Sequence, residues 1–161
     1  MNLKKIISSN NGLSLIEVLV SLTILGIISI GIMNFFSQAY SFTSSNQNKT
    51  NAINVARNAM MYMEKQSFIE IKDEFDRNSS KEISLFICED QYKMFWEGDT
   101  VDPICTPILV NGVEYSVSIH ADNTEEDKSY ILPITVRVEW TKRKKSDFTE
   151  LEGVIKSEDI R

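Results

Sequence analysis

A lone carboxylate inside a greasy run is the first feature that could do chemistry. Glu17 lies within Leu15-Ile16-Glu17-Val18-Leu19-Val20, near the start of an almost unbroken apolar stretch from Leu13 to Phe36. An ionised carboxylate in a bilayer is costly. It calls for a cation, a proton, or a place at the interface from which it can snorkel to water. If the chain were cut just before Leu13, the new α-ammonium would lie one helical turn from Glu17 and could pair with it. Cys88 and Cys105 form the second candidate pair. Their spacing fits neither CxxC redox chemistry nor a four-ligand zinc site. If that part of the chain lies outside the cytoplasm, one disulfide is the natural reading, with two buried free thiols as the alternative. A bridge here would add on the order of 3 kcal/mol, mainly by restricting the unfolded chain.

Other clusters carry less. His120 is the only histidine and falls on the polar side of a strand pattern, so a hydrolytic triad would need unusual partners. No GxxxxGK[ST] or GxGxxG occurs. Asp122-Asn123-Thr124-Glu125-Glu126-Asp127 starts like a calcium loop. It lacks the required glycine, and Pro133 stands where the closing glutamate belongs, so a solvated acidic loop is the default. Lys142-Arg143-Lys144-Lys145 is a basic cluster on a turn; it could touch DNA or anionic lipid, or simply solubilise the turn and blunt edge pairing. Met60, Met61 and Met63 read as core packing, and so do Trp96 and Trp140. The sequence predicts no enzyme, no metal and no cofactor.

The elements that would position these residues follow from patterning. A chain of 161 residues is long enough for one domain with an appendage and too short for two full domains. Before Phe36 the only charges are Lys4, Lys5 and Glu17, which leaves 15 basic against 22 acidic side chains beyond it. The bulk charge therefore does not select nucleic acid as a partner. An apolar run of about 24 residues can span a hydrocarbon core as a helix. No small-residue cleavage site of the secretory type follows it, so the anchor stays joined to the chain. Lys4 and Lys5 predict a cytoplasmic N-terminus. No Pro or Gly occurs between Ile32 and Glu97, and Ile53, Ala56, Met60 and Met63 recur at helical spacing. One long helix from about Ser14 to about Phe68 is expected, frayed around Ser41 to Asn51. A loop or short helix is expected over 69–84. Asn111-Gly112 between two apolar runs predicts a hairpin. Val113 to Ile119 and Ile134 to Trp140 alternate as half-buried strands, a polar turn follows over 141–146, and Phe148 to Ile155 returns antiparallel.

Gly12-Leu13-Ser14-Leu15-Ile16-Glu17-Val18-Leu19-Val20-Ser21-Leu22-Thr23-Ile24-Leu25-Gly26 resembles the class III signal of type IV prepilins and pseudopilins. The resemblance implies that a prepilin peptidase cuts after Gly12 and methylates the new N-terminal amine at Leu13. It also implies that Glu17 pairs with the N-terminal amine of a neighbouring subunit during assembly. Family members usually carry Phe where this chain has Leu13, a tolerated substitute; the mid-helix proline common in the family is absent, leaving Gly26, Ser29 and Gly31 as local weak points. Val136-Arg137-Val138-Glu139-Trp140, with the basic turn and final strand after it, is similar to the end of the smaller minor pseudopilins, the I-type subunits of type II secretion and their pilus counterparts.

The expected fold is thus α+β and pilin-like. It comprises a removed leader (1–12), a transmembrane and filament-core helix (13–36), an amphipathic continuation (37–68) and an extracytoplasmic head with an antiparallel meander (69–161). The function this implies is that of a minor subunit in a membrane-anchored filament for type II secretion, competence or type IV pili. Its expected partners are other pilin or pseudopilin subunits, the prepilin peptidase, an inner-membrane assembly platform and membrane lipid. The alternative is a tip adhesin or DNA-binding minor pilin that grips through Lys142, Arg143, Lys144 and Lys145.

Overall fold

The structure, a computed structural model, describes residues 14–77, 81–121, 130–142 and 145–157. It divides into two compact units between Ser44 and Ser45. The α+β class is as expected: a long helix, then an antiparallel sheet of six strands.

Helix α1 runs Leu15–Met63 without the expected fraying. Ser, Thr and Asn are weak helix formers, but Thr43 Oγ1 and Thr50 Oγ1 return their protons to the Ala39 and Asn46 carbonyls at 3.0 and 2.9 Å. From Asn48 onward packing adds its share, because Ala52, Val55, Ala56, Ala59, Met60 and Met63 are buried. Tertiary burial outweighs weak propensity here. The helix stops at Met63 rather than near Phe68. Lys65 and Gln66 donate to the carbonyls three residues back, at 3.2 and 3.1 Å, which tightens and closes the last turn. Ser67 then starts α2, Phe68–Arg77, accepting the Glu70 amide on its hydroxyl at 3.5 Å. Phe68, Ile71 and Phe75 form the buried stripe of α2, while Lys72–Asp76 and Arg77–Asp73 pair on its wet side at 3.0 and 2.6 Å.

The strands are β1 (Ile83–Cys88), β2 (Gln91–Trp96), β3 (Ile108–Val110), β4 (Val113–Ala121), β5 (Ile131–Lys142) and β6 (Lys145–Lys156). Their order is β2-β1-β4-β5-β6, with β3 also paired to β4. The hairpin turn at Asn111-Gly112 has φ of 52° and 75°, the left-handed pair that such a turn demands. β4, β5 and β6 fall where alternation places them. β1 and β2 fall where no strand was expected. They are joined through Glu89 and Asp90, both at positive φ (51° and 62°), a turn of the same hand built from residues that do not advertise it.

One face of the sheet carries Tyr115, Val117 and Ile119 beside Val136, Val138 and Trp140, all buried against α1 and α2. Burying one such aliphatic side chain contributes about 1.5–3 kcal/mol. Tyr115 sends its hydroxyl to the Asn48 carbonyl at 3.3 Å, so its polar tip is satisfied inside the core. At Gly153 a Cβ would overlap the thioether end of Met60, so the missing side chain lets helix and edge strand close up. The opposite face has a smaller nucleus: Phe86 and Phe95 meet edge to face at 5.7 Å, and Phe95 is buried.

Candidate functional site

Within residues 14–44 the chemistry is set by what surrounds nothing. Across the apolar window of α1, no residue is buried within the chain, and the helix is long and apolar enough to cross a membrane. Leu15, Ile27 and Phe35 are exposed, as are their neighbours on every side of the helix. A helix apolar all round belongs in a membrane or in the middle of an assembly. Its few hydroxyls do not contradict that setting. Ser21, Thr23 and Ser29 donate to the carbonyls of Glu17, Val20 and Leu25 at 2.8 Å each, so none presents an unmet donor to lipid. A Cβ at Gly26 or Gly31 would meet nothing within 4 Å, so both leave flat spots against which another helix can pack.

Glu17 stands in the first turn of this helix. Its amide donates to Ser14 Oγ at 3.3 Å, so Ser14 caps the helix and Glu17 occupies the third position, where the helix dipole favours a negative charge. Its carboxylate makes no ion pair among the described residues. The cap and the dipole account for part of its tolerance here; they leave both carboxylate oxygens open to an external cation. Gly12 and Leu13, the expected processing pair, lie outside the described residues.

In the second unit, Cys88 and Cys105 are joined as a disulfide, with a Cα–Cα distance of 4.3 Å. The bridge ties the end of β1 to the segment that enters β3, beside the backbone bridge between Ile87 and Thr106. His120 sits on the outer face of the sheet, its Nε2 3.9 Å from Glu82, beyond hydrogen-bonding range. Ser84, Ser116 and Ser118 line a shallow surface depression together with His120, Arg137 and Glu139. No serine hydroxyl is bonded to His120 among the described residues. Arg137 is held by Glu139 at 2.7 Å and Glu150 at 3.0 Å, with its guanidinium 4.1 Å from the Phe148 ring. Hydrogen bonding to Glu139 is the main reason its pKa lies above the usual arginine value.

The remaining expectations divide. Lys142 and Lys145 end β5 and begin β6 as a directly opposed pair, while Arg143 and Lys144 lie outside the described residues, as does the acidic loop Asp122–Asp127. Among the described residues no group of His, Cys, Asp and Glu could hold a metal ion. Trp140 is buried in the core beside Tyr115, and Trp96, half-buried against the core, meets Phe75 edge to face at 5.0 Å. Met60 and Met63 are buried, but Met61 turns outward at 52% exposure, because a helix shows its sheet only one face. The capping pairs Ser14/Glu17 and Ser67/Glu70 escaped the pattern reading, although the S-x-x-E spacing is legible at both places.

Comparison with known proteins bears on the N-terminal segment. No curated protein and no solved structure matches the chain. Residues 7–33 match the prokaryotic N-terminal methylation motif, a structural rather than enzymatic signal, and the match takes in Gly12, Leu13 and Glu17. That motif is the type IV pilin and pseudopilin signal; it runs into a helix long and apolar enough to cross a membrane, which precedes an α+β, pilin-like architecture.

Proposed function

We propose that this chain is a non-enzymatic minor pilin or pseudopilin, matured by cleavage after Gly12 and built into a membrane-anchored filament through its N-terminal helix. The observation that carries the reading is the methylation motif running straight into a helix whose apolar side chains find no cover within the chain. Cleavage would expose the Leu13 amine, which the peptidase methylates. Glu17, capped through its amide and with no ion pair on its carboxylate among the described residues, would accept the N-terminal amine of a neighbouring subunit. In a low-dielectric setting an unpaired carboxylate is costly and a paired one tolerable, so the pairing would set axial register as the helices bundle. Lys4 and Lys5 would hold the N-terminus on the cytoplasmic side of the cell membrane, with the head outside, where a disulfide can persist. The partners are then other pilin-class subunits, the prepilin peptidase, an inner-membrane assembly platform and lipid, in a secretion, competence or pilus machine.

Glu17→Val tests the assembly role. The variant should stay membrane-anchored and be processed, yet fall at least tenfold in the sheared filament fraction. Incorporation equal to that of the parent would rule out Glu17 as the register-setting contact.

A further inference from the structure

The two edges of the sheet are not alike. β2 is a short edge with Lys93 near its middle, the kind of residue that natural edges use against stray pairing. β6 is twice as long, pairs with β5 in unbroken register from Lys145 to Lys156, and has no proline and no bulge. Its lysines stand only at the two ends.

Antiparallel pairing turns the backbone groups of every second residue away from the partner strand. The Phe148 amide is one of these, since it donates to the neighbouring Asp147 carboxylate at 3.1 Å instead of to β5. By the same alternation Glu150, Glu152 and Val154 offer amides and carbonyls along the open edge. On the outer face the edge presents Phe148, Glu150 and Glu152, all exposed; on the other it presents half-buried Leu151. Glu150 already shares Arg137, and Glu152 has no ion pair among the described residues. Two copies of this edge laid together with Glu150 and Glu152 facing one another would oppose carboxylates, which is destabilising, whereas a strand with cations beside Glu150 and Glu152 would be drawn in.

From this we infer that the β6 edge is a strand-addition site for an extended segment of another protein, with Lys or Arg alternating with apolar residues. The main chain of that segment would pair with Phe148 to Val154, its cations would lie beside Glu150 and Glu152, and its apolar side chains would extend the core face past Leu151. The site lies wholly within residues 45–157 and does not depend on the filament reading.

The test uses the full chain in detergent micelles with a soluble peptide alternating lysine and valine, and a control in which aspartate replaces lysine. Amide hydrogen exchange is read residue by residue. The lysine peptide should slow exchange at Glu150 and Glu152 at least tenfold, weakening as salt is raised, and the aspartate peptide should not. Glu152→Pro, which removes an outward amide without breaking a bond to β5, should abolish this protection. Glu150→Gln with Glu152→Gln, which keeps the backbone intact, should weaken it at least fivefold. Equal protection by both peptides, unchanged protection in the glutamine variant, or none at millimolar peptide would overturn the inference.

Discussion

From Leu15 to Phe42 the large apolar side chains stand open, Leu15 at 83% and Phe42 at 73% exposure, whereas Ile83, Ile119, Ile134 and Ile155 are fully buried. The residue types are the same; the spacing differs. In the strands, apolar residues alternate with polar ones, so each strand has one face to hide and the chain supplies the cover itself. In the N-terminal helix they are continuous, so every face needs cover, and the described residues supply none. In the proposed filament, lipid or other subunits would supply that cover. Patterning thus separates a region that buries its own apolar face from one whose apolar side chains stay exposed.

The sharpest way to break this contrast is to remove the same kind of side chain from both regions. Ile134→Ala in the central strand should destabilise the head by about 2–5 kcal/mol, from lost transfer energy and the cavity left behind, read by denaturant unfolding of the detergent-solubilised chain. Replacing Cys88 and Cys105 together by Ser should cost about 3 kcal/mol in the same assay. Gly153→Ala should cost about 1–3 kcal/mol, because the added methyl must displace the Met60 thioether. Leu22→Ala should change head stability by no more than about 0.5 kcal/mol, while loosening membrane or filament retention. Equal losses from Leu22→Ala and Ile134→Ala would erase the distinction.

The smallest effect lies at the half-buried ion pair of Lys81 and Glu74. Lys81, through a hydrogen bond, holds the Glu74 carboxyl below its usual pKa. A lowered folded-state pKa adds stability that is present above the unfolded value and fades as pH falls through the folded one. Lys81→Met should therefore return the Glu74 titration, followed by carboxyl NMR, toward the ordinary range and flatten the acid side of the stability profile.

Much of this was legible in the residues, and the misses have physical causes. Glu17 stands out because charge is rare in an apolar run, and β4, β5 and β6 because one wet face preserves alternation. β1 and β2 were hidden for the opposite reason. Phe86 and Phe95 cover each other on the outer face, so the period-two pattern is lost, and Glu89-Asp90 takes a left-handed turn without Gly or Asn. The end of α1 was obscured because no breaker marks it; a tightened last turn and the Ser67 cap do that work. The open β6 edge follows from strand order, which no local pattern encodes.

The central claim is tested most directly by mass spectrometry of the N-terminus of the membrane-extracted protein, from cells with and without prepilin peptidase. The account predicts a chain beginning at Leu13, carrying a methyl group on its amine, only where the peptidase is present. An intact Met1 to Gly12 leader in both cells would contradict it.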